Sequence, residues 1–264
     1  MPGSEIKISI VIINFHSERF LPACLQSLYE KIASKIKTEI IVVNNDKREK
    51  LETVRTDFPE VIILNNEYNR GFGEGCNRGA RSARGQYLFF LNPDTEIISD
   101  NVASVLDFFE KNEEAGIVGS CLVTEKGNVQ KWSAGAAVNL YDLARNNLGM
   151  ARSRRIWESK KTTEAFWAAG TALFISKKLF EILGGFDENI SMYFEDVDLC
   201  KRTRKAGFLV YYFPAFQVLH RSGESFSDKG DQKKNYYASQ QYYFEKHCGK
   251  VQAVLIRILR YFFI

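Results

Sequence analysis

Four short apolar runs, separated by stretches with helical spacing, constrain the fold of the first ninety residues. The run at residues 8–13 is β-branched and apolar on both faces, as strands of a buried parallel sheet are. Further runs lie at residues 39–43, 61–64 and 87–91. Strands that alternate with helices form parallel sheets with right-handed crossovers, so we expect an α/β fold with a mostly parallel central sheet flanked by helices.

Polar side chains follow each of these runs. The four sets are Asn14-Phe15-His16, Asn44-Asn45-Asp46, Asn65-Asn66-Glu67 and Asn92-Pro93-Asp94. Ligands of open α/β sheets bind outside the carboxyl ends of the strands. The sequence therefore predicts a polar binding site at one edge of a sheet with a nucleotide-binding layout.

The second half of the chain is less regular. We expect strands at residues 116–123, 165–175 and 208–213, and helices at residues 99–112, 193–206, 233–247 and 251–264. The composition of residues 135–163 predicts a mobile basic loop with short helices, and that of residues 221–232 a flexible segment.

The formal net charge of +4 is too small to indicate nucleic acid as a partner. The positive charge is local, because residues 145–161 contain six basic residues and one acidic residue. Residues 250–264 contain three basic residues and no acidic one. Two basic patches on an otherwise acidic body predict two anionic contacts.

Cysteine spacing and hydropathy predict the cellular compartment. Five scattered cysteines without a CxxC pair indicate reduced thiols rather than a disulfide framework or a zinc site. No apolar stretch approaches the roughly 20 residues of a membrane span, and the N-terminus lacks the pattern of a secretion signal. We therefore expect a cytoplasmic protein.

The last predicted helix is amphipathic. The apolar residues that share one of its faces are Val251, Val254, Leu255, Ile258, Leu259 and Phe262. Such a stripe either docks on the protein's own core or lies in the interface of an anionic membrane. The sequence leaves both interpretations open.

Two acidic groups can carry chemistry, and each has a plainer explanation. A carboxylate at Asp94 can hold a divalent cation together with diphosphate oxygens, although Asn-Pro-Asp is also a good β-turn. Glu195, Asp196 and Asp198 begin a predicted helix. They either complement the helix dipole or raise one another's pKa, so that one of them acts as a general base.

His220 and the glycine-rich stretch at residues 71–75 each allow a structural and a functional interpretation. His220 lies just past a predicted strand, either as a structural residue or as a metal-binding partner of Asp94. The glycines either begin an ordinary helix or let the backbone cradle a phosphate. The stretch is neither a Walker loop nor a Rossmann fingerprint.

The ordered set of motifs resembles the family-two inverting glycosyltransferases with the GT-A fold, most closely their bacterial rhamnosyltransferase-like branch. The matching stretches are residues 9–15, 41–45, 69–73, 76–79, 90–95, 167–172, 184–188, 192–200 and His220. Each stretch alone is weak evidence, whereas the complete set in family order is specific. The resemblance implies a GT-A nucleotide-diphospho-sugar transferase fold with a C-terminal helical extension.

The resemblance assigns roles to individual residues. Asp196 matches the family's catalytic base and Glu195 is its neighbour. Asp94 matches the last acid of the family's DxD-type metal motif, in which Asn92 here replaces the first acid. With a single carboxylate in that motif, His220 and the donor diphosphate would complete the shell of Mg²⁺ or Mn²⁺.

Asn44 stands where most relatives carry an aspartate that accepts a hydrogen bond from the pyrimidine, and Phe15 where an aromatic ring stacks on the nucleobase. The change at Asn44 keeps an acceptor oxygen but removes a charge, so the base preference stays open. The residues expected to bind the nucleotide-sugar are Asn14, Phe15, Asn44, Arg70, Gly71, Phe72, Asn92 and Asp94. Those expected at the acceptor or sugar are Trp167 and Gly170.

The implied activity is metal-dependent, inverting transfer of a sugar, with dTDP-L-rhamnose as the expected donor and UDP-sugars as the alternative. The implied acceptor is a polyprenyl-diphosphate-linked glycan of bacterial surface polysaccharide synthesis, at the inner face of the cytoplasmic membrane. We expect a catalytic domain over residues 1–232, with residues 1–98 as its nucleotide-sugar half and residues 99–232 as its acceptor half. Residues 233–264 would form the C-terminal helices.

Two rival functions use similar sheets. A nucleotidyltransferase typically carries a glycine-rich, basic loop straight after the first strand, where this chain has the sequence of residues 14–19, Asn-Phe-His-Ser-Glu-Arg. A non-catalytic nucleotide-sugar-binding module is the second rival, and the intact Glu195–Asp196 pair argues against it.

Overall fold

The computed structural model describes residues 5–147, 152–221 and 229–263. Its strands are β1 (Ile8–Asn14), β2 (Thr38–Asn44), β3 (Ile62–Asn65), β4 (Tyr87–Leu91), β5 (Thr95–Ile97), β6 (Ala115–Val123), β7 (Ala134–Gly135), β8 (Thr163–Ala165), β9 (Trp167–Ala168), β10 (Ala172–Ser176) and β11 (Leu209–His220). Its α-helices are α1 (Leu21–Leu28), α2 (Glu52–Asp57), α3 (Phe72–Ser82), α4 (Val102–Lys111), α5 (Leu140–Asn147), α6 (Arg154–Trp157), α7 (Lys177–Ile182), α8 (Glu195–Lys205), α9 (Lys229–His247) and α10 (Gly249–Phe263). A short 3₁₀-helix (Glu18–Phe20) precedes α1 and a π-helical turn (Tyr29–Ala33) follows it.

The central sheet of the described residues has the strand order β3-β2-β1-β4-β10-β6-β11-β5, and β8 also pairs with β11. β3, β2, β1 and β4 run parallel, which confirms the arrangement predicted from the sequence. β10 lies antiparallel between β4 and β6, and β11 pairs parallel with β6 and antiparallel with β5. β7 and β9 form a separate two-stranded sheet. The α/β class is therefore confirmed.

Apolar layers cover both faces of the sheet. In β1, Ile8, Ile10 and Ile12 belong to one layer and Val11 and Ile13 to the other, because successive side chains of a strand point to opposite faces. Residues of α1, α2 and α4 complete the first layer, and residues of α3, α7 and α8 complete the second. Burial on both faces explains why polar side chains collect at the ends of the strands.

The region predicted as one strand over residues 165–175 contains a turn. β8 and β9 are short, and Gly170 lies in the turn that separates them from β10. β11 is longer than the strand predicted at residues 208–213. Its pairing with β6 shifts register midway and continues to the end of β6, which carries the chain to His220. Both differences arise from pairing with distant strands, which local apolar patterns do not record.

Two predicted loops are described in part. The basic loop predicted over residues 135–163 contains α5 and α6, and residues 148–151 lie outside the described residues. Of the flexible segment predicted over residues 221–232, residues 222–228 lie outside the described residues as well. α9 already begins at Lys229, four residues earlier than predicted.

The C-terminal helices pack through a small core formed by Phe194, Tyr243, Phe244, Ala253 and Ile256. The apolar stripe of α10 points the other way. Its described members are between 43% and 75% exposed, namely Val251, Val254, Leu255, Ile258 and Leu259. α10 thus docks on the protein's own core through Ala253 and Ile256, whereas the described residues of the predicted stripe stay exposed. Among the residues described, no helix is both long and apolar enough to cross a membrane.

Candidate active site

Three asparagines at the ends of neighbouring strands form part of the predicted polar edge. Asn14, Asn44 and Asn65 stand in register across β1, β2 and β3. Asn14 Nδ2 donates to Asn44 Oδ1 at 3.0 Å, and Asn44 Nδ2 donates to Asn65 Oδ1 at 3.3 Å. Asn44 Oδ1 also accepts the backbone N–H of Asp46 at 3.2 Å. The acceptor oxygen that Asn44 keeps is thus already engaged within the strand ends.

A second polar group follows β1 and β2. Phe15 is partly exposed, and its ring centroid lies 4.1 Å from that of His16. His16, Asp46 and Glu49 offer ligand atoms that all lie within 4.8 Å of one another, a spacing at which a metal ion can bind. Arg48, however, donates two side-chain hydrogen bonds to the Asp46 carboxylate, and these bonds lower the pKa of Asp46. A cation therefore already neutralises the Asp46 carboxylate of this group.

Asp94 and His220 lie together, as the sequence predicts. β5 begins directly after Asp94 and pairs with the end of β11, in a register that sets His220 opposite Thr95. His220 Nε2 lies 3.4 Å from Asp94 Oδ2, and both side chains are nearly buried. His220 Nδ1 lies 2.8 Å from Gln130 Oε1, so the tautomer with a proton on Nδ1 can donate to Gln130 and direct its Nε2 lone pair toward Asp94. Sequence reasoning missed Gln130, since nothing in the chain order connects it with His220.

This pair fits a divalent cation. Two ligands at right angles, each about 2.1 Å from one ion, are roughly 3 Å apart. The separation of Asp94 Oδ2 and His220 Nε2 is close to that value. A hydrogen bond from Nδ1 to an oxygen acceptor, here Gln130 Oε1, would orient the imidazole for metal binding. A cavity of about 330 Å³, lined in part by Arg19 and Arg221, opens beside Asp94.

The glycine-rich stretch lies at the start of α3. It packs against the loop that precedes α8. Gly71 has a φ of +93°, and a Cβ there would lie 3.0 Å from Ser191 O, so glycine permits this close approach. Asn77 holds an earlier part of the same loop, since it accepts the N–H of Phe186 and donates to its carbonyl. The start of α3 therefore lies against residues 184–194 rather than standing free.

Asp196 lies beside two other predicted site residues. Its Oδ2 accepts the N–H of Gly170 at 2.8 Å. A Cβ on Gly170 would lie 3.4 Å from Asp196 Cβ and 3.6 Å from the Phe72 ring. The neighbouring Glu195 is buried, and its Oε2 has no hydrogen-bond partner among the residues described. The structure thus brings Phe72, Gly170 and the carboxylate pair together.

Burial raises the pKa of both carboxyl groups. The adjacent Asp196 charge adds to burial and raises the pKa of Glu195 to about 8. Backbone N–H groups of Gly170 and Val197 oppose the effect of burial on Asp196, whose pKa is still raised. Asp196 is partly exposed, whereas Glu195 is not. A partly exposed carboxylate whose pKa is raised accepts a proton more readily than an ordinary one, as suits a general base.

The third acid of this group, Asp198, has a different environment. It is fully buried, and its carboxylate contacts Arg202, Lys246 and His247 at 2.7 Å each. Burial alone raises the pKa of Asp198, but the His247 hydrogen bond and the Arg202 and Lys246 charges outweigh burial and lower it. Asp198 is therefore an ionised anchor for α9. Sequence reasoning missed this role, because His247 follows 49 positions later.

α9 also holds the turn that precedes the carboxylate pair. Tyr193 and Phe194 have φ values of 62° and 67°, a left-handed conformation that is strained for residues other than glycine. Ser239 Oγ donates to Met192 O at 2.6 Å, and the Phe194 ring packs against Tyr243. The C-terminal helices thus hold the backbone that aims Glu195 and Asp196.

One turn joins the carboxylate pair to the Asp94–His220 pair. The N–H of Asn92, two residues before Asp94, donates to Thr171 O at 2.9 Å, and the preceding Gly170 donates to Asp196. Because β4 and β10 are neighbours, the segment that leaves β4 and the turn that enters β10 meet at one edge of the sheet. Both pairs therefore face a shared edge.

Two further predicted site residues, Trp167 and Arg70, contact Gly135 and Tyr68. Trp167 lies in β9 against Gly135, where a Cβ would come within 2.4 Å of the indole Nε1. Arg70 is exposed, with its guanidinium 4.6 Å from the centre of the Tyr68 ring. Their roles at the acceptor and the donor stay predictions.

The mixed sheet and its helices define the GT-A class of glycosyltransferase structures. The chain superposes over 92% of its length on half of the chain of GalNAc-T7 in its crystal structure with UDP, GalNAc and Mn²⁺, at a TM-score of 0.66 and 18% identity. This likeness gives the fold.

The chain belongs to glycosyl transferase family 2, whose family model matches residues 9–181. It is 26% identical to the N-acetylglucosaminyl-diphospho-decaprenol L-rhamnosyltransferase of Mycobacterium tuberculosis, over 80% of this chain and 73% of that protein. It is also 26% identical to the rhamnosyltransferase WbbL of Escherichia coli, over 81% of this chain and 83% of that protein. The protein is therefore a glycosyltransferase.

Proposed function

We propose that this enzyme transfers L-rhamnose from dTDP-L-rhamnose to a polyprenyl-diphosphate-linked glycan during synthesis of a bacterial surface polysaccharide. The observation that carries the proposal is the Glu195–Asp196 pair beside Gly170 on a glycosyltransferase sheet. Similarity to two rhamnosyltransferases, one of them named for a decaprenol-linked N-acetylglucosaminyl diphosphate, supports the donor and acceptor classes.

In the proposed mechanism Asp196 is the base. Its carboxylate, oriented by the Gly170 N–H, takes the proton of an acceptor hydroxyl while that oxygen attacks the anomeric carbon of the donor. The bond from the anomeric carbon to the donor diphosphate breaks on the opposite face, so one displacement inverts the configuration. Glu195 is protonated below about pH 8, and this keeps a second negative charge away from the base.

Asp94 and His220 would hold Mg²⁺ or Mn²⁺ on the donor side. When bound there, such an ion stabilises the negative charge of the leaving nucleoside diphosphate. Asp94 contributes a hard oxygen, and Gln130 orients His220 so that Nε2 can bind. The His16–Asp46–Glu49 group is the weaker candidate, because Arg48 already occupies the Asp46 carboxylate.

The proposed acceptor also determines where the enzyme works. A polyprenyl-diphosphate-linked glycan is anchored in a bilayer, so we place the enzyme in the cytoplasm, peripherally at the inner face of the cytoplasmic membrane. The exposed apolar stripe and the basic residues of α10 support this location.

A product assay tests the proposal. The full chain is incubated with Mg²⁺, an N-acetylglucosaminyl-diphospho-lipid and either dTDP-L-rhamnose or a UDP-sugar. We expect a rhamnosylated product of inverted anomeric configuration. Asp196→Asn should lose about 10²- to 10⁴-fold in transfer while it binds dTDP normally, because general-base catalysis typically contributes that much.

The control variant is Asp107→Asn, at an exposed acid of α4 that should leave transfer unchanged. Transfer from a UDP-sugar alone would contradict the proposed donor. Near-normal turnover by Asp196→Asn would remove Asp196 from the mechanism.

A further inference from the structure

α10 exposes an apolar face on the side away from its packing contacts. Ala253 and Ile256 are buried in the small core with Phe194. At 3.6 residues per turn, the five exposed apolar residues of α10 form a continuous stripe opposite Ala253 and Ile256. Contiguous exposed apolar surface of this kind marks a protein or membrane interaction site.

The charges along α10 are all positive. Residues 249–264 contain Lys250, Arg257 and Arg260, and neither aspartate nor glutamate. Lys250 and Arg257 are exposed and seven residues apart, so they lie on one side of the helix, at the border between its packed and exposed faces. Long cationic side chains at such a border can reach an anionic surface while the apolar stripe inserts below them.

The beginning of α5 extends this surface. The N–H of Leu140 donates to Gln252 Oε1 of α10 at 3.4 Å, so the two helices are neighbours. The next residue, Tyr141, is 63% exposed. Arg145 donates to the Tyr141 hydroxyl at 2.9 Å, and its guanidinium lies 5.5 Å from the centre of the ring. An exposed tyrosine with a cation is typical of the headgroup level of a membrane.

We propose that α10 and the start of α5 form a docking surface for an anionic phospholipid bilayer. α10 has 15 residues, too few to span a bilayer, so the helix would lie in the plane of the interface. The uniform positive charge selects an anionic surface as the occupant. A second copy of the chain is a poorer occupant, because it would bring its own Lys250 and Arg257 against the same charges.

The role of this docking surface in bringing an acceptor to Asp196 rests on the proposed function. Phe194, which directly precedes the carboxylate pair, packs in the same small core as Ala253 and Ile256. One layer of helix therefore separates the bilayer from the turn that carries Asp196, and packed helices lie about 8–10 Å apart. An acceptor anchored in the leaflet would present its first sugars to the base.

Vesicle sedimentation with the full chain tests the surface. The probes are vesicles of phosphatidylcholine alone and of phosphatidylcholine mixed with phosphatidylglycerol. We expect binding to the mixed vesicles at low salt, weakened as salt screens the charges. The double variant Leu255→Glu, Ile258→Glu should bind at least about tenfold more weakly, because it removes two inserted apolar side chains. Ile182→Glu, at an exposed apolar residue of α7, is the matched control and should bind normally.

Three results would overturn the docking surface. The first is the absence of binding to the mixed vesicles at low salt, and the second is equal binding by the double variant. The third is a dimer in solution that the double variant dissociates, without vesicle binding, since the face would then belong to a contact with a second copy.

Transfer to a soluble acceptor and binding of dTDP are measured on the same samples. The double variant should keep both, which would support a role confined to the membrane. Vesicle binding by a chain that transfers no sugar would leave the docking surface standing and overturn the proposed function alone.

Discussion

Glu195, Asp196 and Asp198 lie within one turn of helix, yet their neighbours give them different protonation. Burial without a cationic partner raises the pKa of Glu195 and Asp196. Asp198 is just as deeply placed, but Lys246 and His247 reach it from α9 and its pKa is lowered. The sequence shows three acids at the start of a helix with Arg202 one turn after Asp198, and the packing of a distant helix adds the contacts that make Asp198 an anchor rather than a base.

The raised pKa of Glu195 predicts a pH-dependent stability. Folded Glu195 holds its proton up to about pH 8, whereas an ordinary glutamate loses it near 4.5. Between these values the unfolded chain binds fewer protons than the folded one, so the free energy of unfolding falls as pH rises. Glu195→Gln, which mimics the protonated form, should therefore raise Tm relative to the unaltered protein at pH 8.5 and change it little at pH 4.5.

Thermal unfolding at the two pH values measures this difference. Glu113→Gln, at an exposed glutamate, should give equal shifts at both. A Glu195→Gln protein whose Tm difference does not depend on pH would show that Glu195 ionises normally.

The Asp94–His220 pair predicts where a metal acts. Asp94→Ala and His220→Ala should each weaken binding of dTDP in Mg²⁺ much more than binding of thymidine, because the proposed ion would join the protein to the diphosphate. EDTA should abolish transfer. Titration calorimetry measures both affinities, and His16→Ala serves as the control at the alternative group. Full transfer in chelator, or a larger loss in His16→Ala, would contradict this assignment.

At the scale of elements, Asp198 joins α8 to α9. Asp198→Asn leaves Arg202 and Lys246 without their shared buried counter-charge, and loss of one partner of a buried ion pair costs about 3–5 kcal/mol. Because Lys246 is partly exposed, we expect the lower end, about 3 kcal/mol, in urea unfolding. Asp107→Asn, in an exposed pair with Lys111, should change stability by less than about 1 kcal/mol. Equal costs for the two variants would mean that α9 does not depend on Asp198.

The elements of the first half follow closely from the sequence, whereas those of the second half do not. β1, β2 and β4 are buried on both faces, and β3 is a partly exposed edge strand, yet each is a local apolar run that composition reveals. The turn at Gly170 and the extension of β11 to His220 depend on pairing with β4, β6 and β5. A local pattern carries no record of such partners.

The same limit decides which residues of the candidate site can be predicted from the sequence. The sequence predicts Asp94 with His220 and Glu195 with Asp196, because strand ends and motif order mark them. It does not predict Gln130, which meets His220 only through folding. For α10 the apolar spacing predicts the stripe but not whether it points inward or outward. The face that packs inward, with Ala253 and Ile256, looks less apolar in the sequence than the stripe does.

At the scale of the whole molecule, the contacts of α9 predict the outcome of truncation. The division into a catalytic domain over residues 1–232 and C-terminal helices stays a prediction. Lys246 and Ser239, however, hold Asp198 and Met192 from beyond that boundary. A chain of residues 1–232 should therefore lose transfer at least about 10²-fold, the lower range for loss of a positioned base. The assay compares it with the full chain at equal concentration of folded protein, and transfer within threefold would contradict the prediction.

The left-handed turn at Tyr193 and Phe194 has a consequence for synthesis of the protein. Two such residues in succession cost of order 1–3 kcal/mol each, and they persist only where the surroundings impose them. Here the surroundings are Ser239 and Tyr243, which the ribosome adds after the whole sheet and both carboxylates have been made. A nascent chain that has completed α8 but not α9 lacks the contacts that hold this turn. The proposed base is therefore set in place only once α9 has been made, and a nascent chain that ends before α9 should not transfer sugar.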